Sequence, residues 1–240
     1  MPKLIEIYND KLAEKYDQAT WKGKWKAPNE AIKILREVKL IKKGLKILDL
    51  GIGTGQEIEP FINKNCEIYG VDISRKMLKI CKAKHPELKI IKYDISKGLN
   101  RLNFKNKYFD LIIAIGILEF VKNIKKIIKE VSKLLNDGAH FIFTYELLMP
   151  NYKFQKRKLQ YNAEDYIKNP PSSMKFKLYR KSRNEINRML KENKYKIIRH
   201  FKIRAFLKGP AKIPVYYSLV LAKKMKRKYY DKLYTSQPLD

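Results

Sequence analysis

Short apolar runs and longer amphipathic segments alternate along the chain from Lys46 onward. Nearly continuous apolar runs are typical of strands buried on both faces, and apolar residues at helical spacing indicate helices between them. The alternation predicts an α/β fold with a mostly parallel seven-stranded sheet, helices on both faces and an antiparallel last strand. The predicted strands cover residues 46–50, 67–72, 88–94, 108–116, 139–147, 195–206 and 215–223.

Polar residues at the ends of the amphipathic segments predict where the helices begin and end. Ser74 caps a helix that runs through Ala83, and Asn123 begins a helix that Gly138 ends as a left-handed cap. Ser182 and Glu185 form a capping box that opens the last helix. Two helices precede the sheet, at residues 3–18 and 28–41, and another is predicted directly after residues 48–57.

The alternation stops after residue 150, where the chain becomes polar, basic and aromatic. Pro170 and Pro171 break any regular element there. The pattern therefore predicts five parts, which are two N-terminal helices (1–42), a core (43–149), a basic aromatic insertion (150–181), the last helix and strands of the core (182–225), and a basic, polar tail (226–240).

Composition limits the class of protein. The chain has 240 residues, 45% of them hydrophobic, which is enough for a sizeable core. Its two cysteines exclude a disulfide framework. The first ten residues lack the apolar core of a signal peptide, and the longest apolar run, 111–118, is shorter than the roughly 20 residues that span a bilayer. These features predict a cytoplasmic protein.

The net charge of +30 is unevenly distributed. Residues 1–150 carry 29 basic and 18 acidic side chains, whereas residues 151–240 carry 25 and 6. Such an excess suits an anionic partner, including nucleic acid, and it equally suits a solvated basic face. Because Lys is far more abundant than Arg, the composition favours specific nucleic-acid recognition less.

A glycine-rich turn, LDLGIGTGQE at residues 48–57, is the most informative segment. Gly51, Gly53 and Gly55 allow a tight turn and let a ligand approach the backbone, although glycines alone would also suit a simple strand–helix turn. Asp72 ends the next strand, where a carboxylate can hold both hydroxyls of a ribose, and Asp94 ends the third strand within reach of an adenine amino group.

The glycine spacing discriminates between cofactors. A dinucleotide fingerprint places its third glycine three positions after the second, whereas Gly55 comes two positions after Gly53. The Gly-Lys-Ser/Thr of a P-loop is absent. A ligand with ribose and adenine but no pyrophosphate fits better. The carboxylate of an attached methionine is then expected at the helix N-terminus near Gln56 and Glu57.

With these motifs the chain resembles the class I S-adenosylmethionine-dependent methyltransferases over roughly residues 5–223. LDLGIGTG, which includes Asp49, resembles the first motif of that family, and GVDISRKML (70–78) resembles the motif that follows. FDLIIAIGILEFV (109–121) resembles the fourth motif, and YNDKLAEKYD (8–17) resembles the lid helix of many small-molecule methyltransferases. The resemblance implies a Rossmann-like fold and S-adenosylmethionine as cofactor, with S-adenosylhomocysteine as product.

The resemblance also implies which residues bind the cofactor. Tyr16 would close over it, and Ile73 and Met77 would line its adenine pocket, although Met77 equally suits ordinary helix packing. The remaining implied contacts come from the first motif and the strand ends, at Asp49, Gly51, Gly53, Gly55, Asp72, Asp94, Ile95 and Ile115.

The acceptor side is less determined. Glu119, which follows the fourth strand, is the candidate general base, with a structural carboxylate at a helix start as the alternative. Some quinone-pathway methyltransferases bind a metal through E-x-x-E-H, but Gly116 and Phe120 replace two of those ligands, so no metal is predicted. Five aromatic residues are predicted either to line the acceptor site or to form a small separate core. They are Trp21, Trp25, Tyr152, Tyr161 and Tyr166.

Three functions compete at this point. The leading hypothesis is methyl transfer to a small molecule, and the basic insertion favours an anionic one. The second is a methyltransferase for RNA or another large anion, which the charge of residues 151–240 suggests. The third is a cofactor-binding subunit without activity. The oligomeric state is not predicted.

Overall fold

The computed structural model describes residues 2–22, 25–149, 151–152, 160–162, 175–208, 211–226 and 230. Its helices are α1 (Pro2–Trp21), α2 (Ala27–Glu37), α3 (Arg75–Lys84), α4 (Ile124–Leu134) and α5 (Arg183–Glu192). Its strands are β1 (Lys46–Leu50), β2 (Glu67–Asp72), β3 (Lys89–Lys92), β4 (Phe109–Ala114), β5 (Leu135–Glu146), β6 (Gln160–Asn162), β7 (Lys175–Lys177), β8 (Tyr195–Lys208) and β9 (Ile213–Lys224).

One seven-stranded sheet has the order β3-β2-β1-β4-β5-β9-β8, and β6 and β7 form a separate two-stranded sheet. The pairs from β3 to β5 are parallel, and β9 is antiparallel to both β5 and β8. The predicted antiparallel last strand is therefore confirmed. Because β1 lies between β2 and β4, the carboxyl ends of these central strands meet at one edge of the sheet, where α/β folds bind ligands.

Helices cover both faces of the sheet, as predicted. On one face Ala31 and Leu35 of α2 pack with Cys81 of α3 against Ile47 and Leu111. On the other face α4 and α5 contribute apolar side chains that pack against the opposite face of the same strands. Successive strand residues point to opposite faces, so the continuous apolar runs in the sequence supply both cores.

The segment after the glycine turn differs from the prediction. Residues 51–58 form irregular turns, and a 3₁₀ helix follows at Glu59–Lys64. Pro60 lacks the backbone N–H that an α-helix running from Gly55 would need, so a regular helix is not formed. The helix predicted directly after the glycine turn is therefore wrong, and the structure has no α-helix N-terminus near Gln56 and Glu57 of the kind expected for the methionine carboxylate.

The end of α4 also differs from the prediction. The helix ends at Leu134, and Leu135 already pairs with Phe109 of β4. Both Leu135 and Phe109 are fully buried, which draws the chain into the sheet before it reaches Gly138. Gly138 does adopt a left-handed conformation, with φ of 88°, but it lies within β5 rather than at the helix end.

Candidate functional site

The glycine turn is held against the end of β2 by backbone hydrogen bonds. Gly51 N–H donates to the carbonyl oxygen of Val71 at 2.7 Å, and Gly53 N–H donates to Oδ2 of Asp72 at 2.9 Å. Gly51 has φ of 84°, and a Cβ atom there would lie 3.0 Å from the Cβ of Ile117. Only glycine suits this position, because both the backbone conformation and the space exclude a side chain.

Asp72 is buried at the centre of the turn. In addition to the Gly53 contact, its Oδ1 accepts a hydrogen bond from Ser74 N–H at 2.8 Å. Burial raises the pKa of Asp72 to about 6, although the N–H groups of Ser74, Gly53 and Ile73 oppose the shift. The carboxylate is thus fixed in place by backbone donors while its remaining lone pairs stay available to a ligand hydroxyl.

Asp94 lies at the end of the third strand segment. Its Oδ1 accepts a hydrogen bond from Ser96 N–H at 2.9 Å, and its Oδ2 is buried without a hydrogen-bond partner among the described residues. An unpaired buried acceptor is costly, and native proteins usually satisfy one with water or a ligand. The free oxygen is suited to receive a donor such as an exocyclic amino group.

A cleft of about 650 Å³, including its open mouth, connects these acids. Five residues predicted to bind the cofactor line it, which are Gly51, Asp72, Ile73, Asp94 and Ile95. Nine further residues line it, among them Ile117, Phe120 and Tyr179, and none of the nine was predicted as a site residue. Ile117 and Phe120 lie within the 109–121 motif, which was a sequence signal for them, whereas Tyr179, just before α5, is brought to the cleft by the tertiary fold.

The other residues predicted to contact the cofactor lie outside the lining of this cleft. Met77 and Ile115 are buried, and Ile115 belongs to the core beside α2. Asp49 is buried on β1, and its Oδ2 has no partner among the described residues. Gly55 adopts φ of 87° and packs against Cys81 and His85, where a Cβ would lie 3.1 Å from each side chain.

Buried acids lie in the interior behind the glycine turn. Burial raises the pKa of Asp49 well above its usual range, and the nearby Glu57 and Asp72 raise it further. Burial likewise raises the pKa of Glu57 to about 8, although Lys84 partly opposes the shift. Near neutral pH Asp49 and Glu57 are therefore mostly protonated.

Helix α1 covers the glycine turn and is attached to it by acidic side chains. Asp17 accepts hydrogen bonds from Thr54 Oγ1 at 2.5 Å and Gln56 Nε2 at 2.7 Å, and it forms an ion pair with Lys84 at 3.0 Å. About two helical turns earlier, Asp10 accepts a hydrogen bond from Ser74 Oγ, at the start of α3, at 2.5 Å. Sequence analysis predicted α1 as a lid helix and missed these acids.

Tyr16 lies on the inner side of α1. Its ring reaches the turn, since a Cβ at Gly53 would lie 3.9 Å from Cε1 of Tyr16. Burial raises the pKa of the Tyr16 hydroxyl well above its usual value, and Glu57, Asp72 and Glu119 add to this shift.

Glu119 follows β4 in a short 3₁₀ turn and is 1% exposed. Its Oε1 accepts a hydrogen bond from the hydroxyl of Tyr217 at 2.8 Å, whereas its Oε2 has no partner among the described residues. Burial raises the pKa of Glu119 to about 8, and Glu146 adds to the shift. Tyr217, on β9, is a site residue that sequence analysis missed.

The aromatic residues predicted for the acceptor side do not form one wall. The ring centroid of Trp25 lies 5.4 Å from that of Tyr217, on the face of the sheet that α2 covers. Tyr152 instead lies 5.7 Å from Tyr216, whose side chain points to the other face. Tyr166 lies outside the described residues, and so do the side chains of Trp21 and Tyr161.

The arrangement fits the adenosine part of S-adenosylmethionine. Asp72 presents a fixed acid for the ribose, and Asp94 presents an unpaired acceptor for adenine. Ile73 and Ile95 supply apolar walls, and the turn at Gly51 admits no side chain. Within the described residues, no group of three or more His, Cys, Asp and Glu side chains is arranged to hold a metal ion. No helix among these residues is long and apolar enough to cross a membrane.

Comparison with known proteins gives matches along the same region. Residues 48–143 match a family model described as a methyltransferase domain. The chain is 38% identical over 136 residues to an uncharacterized protein of Methanocaldococcus jannaschii, covering 55% of this chain and 58% of that protein. It is 34% identical over 113 residues to the ubiquinone biosynthesis O-methyltransferase of Pelagibacter ubique, covering 47% of each. The chain thus spans about half the length of these relatives.

The fold is similar to solved structures. The 1,6-didemethyltoxoflavin-N1-methyltransferase of Burkholderia thailandensis, with bound S-adenosylhomocysteine, has a TM-score of 0.63 at 13% identity, covering 92% of this chain and 88% of that one. An S-adenosylmethionine-dependent methyltransferase from Mesorhizobium loti has a TM-score of 0.60 at 21% identity, covering 80% and 96%. At identities of 13% and 21%, this similarity shows a shared fold and no more.

Proposed function

We propose that this chain is an S-adenosylmethionine-dependent methyltransferase that transfers a methyl group to a small-molecule acceptor, because residues 48–143 match a methyltransferase-domain family model and the fold is similar to that of such enzymes. The observation that carries the proposal is the pair of acids on the rim of one cleft, beside a turn that only glycine can form. Asp72 is held there by two backbone N–H groups, and Asp94 retains an unpaired oxygen.

Each of these residues has a distinct task in holding the cofactor. Asp72 accepts hydrogen bonds from the ribose hydroxyls, and Asp94 Oδ2 accepts one from the adenine amino group. Ile73 and Ile95 pack against the adenine ring, and Gly51 and Gly53 let the ligand approach the backbone. The bound cofactor supplies a methyl group that is already activated on a sulfonium. The chain therefore needs chiefly to orient the acceptor and to exclude water.

A compact acceptor is supported by α1. The helix is held to the glycine turn by Asp17 and to the start of α3 by Asp10, and the ring of Tyr16 reaches Gly53. A cover of this kind encloses the reacting groups. One similar protein is an O-methyltransferase of ubiquinone biosynthesis, and one protein of similar fold is an N1-methyltransferase for 1,6-didemethyltoxoflavin, so both names refer to small molecules.

We further propose that the basic aromatic insertion at residues 150–181 caps the substrate.

The decisive experiment measures cofactor binding first and methyl transfer second. Isothermal titration of the purified chain with S-adenosylhomocysteine is expected to show one site per chain. Incubation with radiolabelled S-adenosylmethionine and a small-molecule extract is then expected to label low-molecular-mass products. Absence of S-adenosylhomocysteine binding would contradict the proposal.

RNA as the acceptor is the alternative that the charge of residues 151–240 favours. It predicts that label enters RNA rather than metabolites, and that RNA affinity falls steeply as salt rises. Label in bulk RNA together with none in the small-molecule fraction would replace the small-molecule proposal with this one.

A further inference from the structure

The carboxyl group of Glu119 carries an inference about the acceptor, which rests on the proposed function. Glu119 is 1% exposed, and Tyr217 occupies only its Oε1, at 2.8 Å. Oε2 has no hydrogen-bond partner among the described residues. A carboxyl oxygen in this condition lacks a donor, and a ligand N–H or O–H would supply it.

Aromatic rings pack around Tyr217, the hydrogen-bond partner of Glu119. The ring of Trp25 meets Tyr217 edge-on with centroids 5.4 Å apart, and Phe206 lies 6.0 Å from Trp25 and 6.3 Å from Tyr217. A Cβ at Gly116 would lie 2.8 Å from Cζ2 of Trp25, so the indole lies directly against the turn that leads to Glu119. Aromatic faces attract cations such as ammonium groups.

The described groups that act on this carboxyl include no cation. They are Glu146 of β5 and Tyr217 of β9, and the neighbouring Tyr16 from α1 is neutral because burial raises the pKa of its hydroxyl. Arg180 forms a buried ion pair with Glu146 and so balances that acid. An anion placed here would lose its hydration with no cation to pair with, whereas a cation would pair with the Glu119 carboxylate.

We propose that the acceptor is an amine on an apolar or aromatic carrier, which binds as an ammonium ion with one N–H donated to Glu119 Oε2. Tyr217 is a positioning residue, because its hydroxyl fixes Oε1 and thereby directs Oε2 to the ligand. This reverses the expectation of an anionic acceptor. That expectation came from surface charge, which is screened by salt, whereas the buried groups contact the acceptor.

Glu119 removes a proton from the ammonium ion before the methyl group is transferred. The N–H bond of the ammonium breaks, its electron pair stays on nitrogen, and the proton forms an O–H bond with Oε2 of Glu119. The free pair then forms the bond to the methyl carbon while the carbon–sulfur bond breaks and leaves its pair on sulfur. The pKa of Glu119, raised to about 8 chiefly by burial, makes its carboxylate a stronger base than an exposed one, and the group is available to take this proton from about pH 8 upward.

The test is a binding competition on the full chain loaded with S-adenosylhomocysteine. Three probes of similar size are titrated at pH 8. They are 2-phenylethylamine, 2-phenylethanol and phenylacetate. The amine is expected to bind at least tenfold more tightly than either other probe. Glu119→Gln is expected to remove about tenfold of this preference, and Tyr217→Phe a smaller part. The affinity for the amine should also rise between pH 7 and pH 9 in the wild type and not in Glu119→Gln.

Tyr145→Phe is the matched control. Tyr145 is a fully buried tyrosine on β5 whose hydroxyl contacts His200 at 2.9 Å, so this variant also loses one buried hydrogen bond. It should keep the amine preference, which separates positioning from general loss of stability. Circular dichroism checks that each variant is folded. If Glu119→Gln does not fold, Tyr217→Phe still tests the proposal.

Equal or tighter binding of the alcohol or carboxylate would overturn the inference, as would failure of the amine to bind at millimolar concentration. In both cases intact S-adenosylhomocysteine binding leaves the proposed function standing. Loss of S-adenosylhomocysteine binding itself counts against the proposed function instead.

Discussion

At the scale of single residues, Asp72 shows how one carboxylate both builds the turn and serves the ligand. Its two oxygens accept hydrogen bonds from Gly53 and Ser74, and burial raises its pKa to about 6. It is therefore largely ionised at neutral pH. A ligand hydroxyl that donates to it makes a hydrogen bond to a charged group, which is stronger than one between neutral groups.

Asp72→Asn should weaken S-adenosylhomocysteine binding about 10- to 100-fold. The amide lacks the charge and has one oxygen instead of two, and hydrogen bonds to charged groups contribute about 1.5–3 kcal/mol. Isothermal titration at pH 7.5 measures the change.

Asp110→Asn is the control for that substitution. Asp110 lies at the opposite end of the central strands and accepts hydrogen bonds from Lys46 N–H and Asn136 Nδ2. Its loss should lower stability without a change in ligand affinity. A similar affinity loss in both variants would show that general destabilisation, rather than ribose contact, explains the Asp72 result.

At the scale of elements, α1 depends on its acidic side chains for its position. Its own sequence is only weakly amphipathic, with Ile5 and Ala13 among the few buried apolar residues described on it. Asp10 bonds to Ser74 at the start of α3, and Asp17 bonds to Thr54 in the glycine turn. Polar contacts of this kind are readily exchanged for water, so α1 is expected to open more easily than the sheet.

Asp17→Asn should accelerate amide hydrogen exchange in α1 about fivefold. The substitution removes the charge that Gln56 and Lys84 contact, and for a partly exposed group the loss is about 1 kcal/mol. Exchange measured by mass spectrometry reports the opening. Glu14→Gln, an exposed position on the same helix, is the control and should leave the rate unchanged.

At the scale of the whole molecule, the surface is strongly basic, whereas the titratable groups buried at the site are acids. The chain has a net charge of +30, yet the groups buried at the site are acids, with the pKa of Glu57 and of Glu119 raised to about 8 by burial. These acids bind protons more tightly in the folded chain than in the unfolded one. Folding stability must therefore fall as pH rises from their unfolded pKa, near 4.5, to about 8.

The stability of the ligand-free chain should drop by about 1 kcal/mol or more between pH 6.5 and pH 8. Burial lowers the pKa of His140 and of His200 to about 4, so both are neutral in either state above their unfolded pKa and contribute little in this range. Urea unfolding at both pH values measures the drop. Glu119→Gln should show a smaller one, and stability that rises over this range would contradict the assignment of buried, protonated acids.

The sequence alone determined the strands of the sheet, the glycine turn after the first strand and the acids predicted to bind the nucleoside. Buried parallel strands need continuous apolar runs, so β1, β2, β4 and β5 were visible directly. The glycine spacing and Asp72 were equally visible, because a turn with positive φ and a carboxylate at a strand end depend on adjacent residues. The helix expected after the glycine turn failed, since Pro60 and tertiary packing outweighed the general pattern.

Only the tertiary structure decided which residues surround Glu119. Glu119 and Tyr217 are 98 residues apart and meet because β9 inserts antiparallel beside β5, and no local pattern encodes that pairing. The same holds for Trp25 against Gly116, and for Asp17 of α1 against Thr54. Charge is the clearest case. Composition gives the sum over the surface, whereas the field at the site depends on which few side chains the fold buries together.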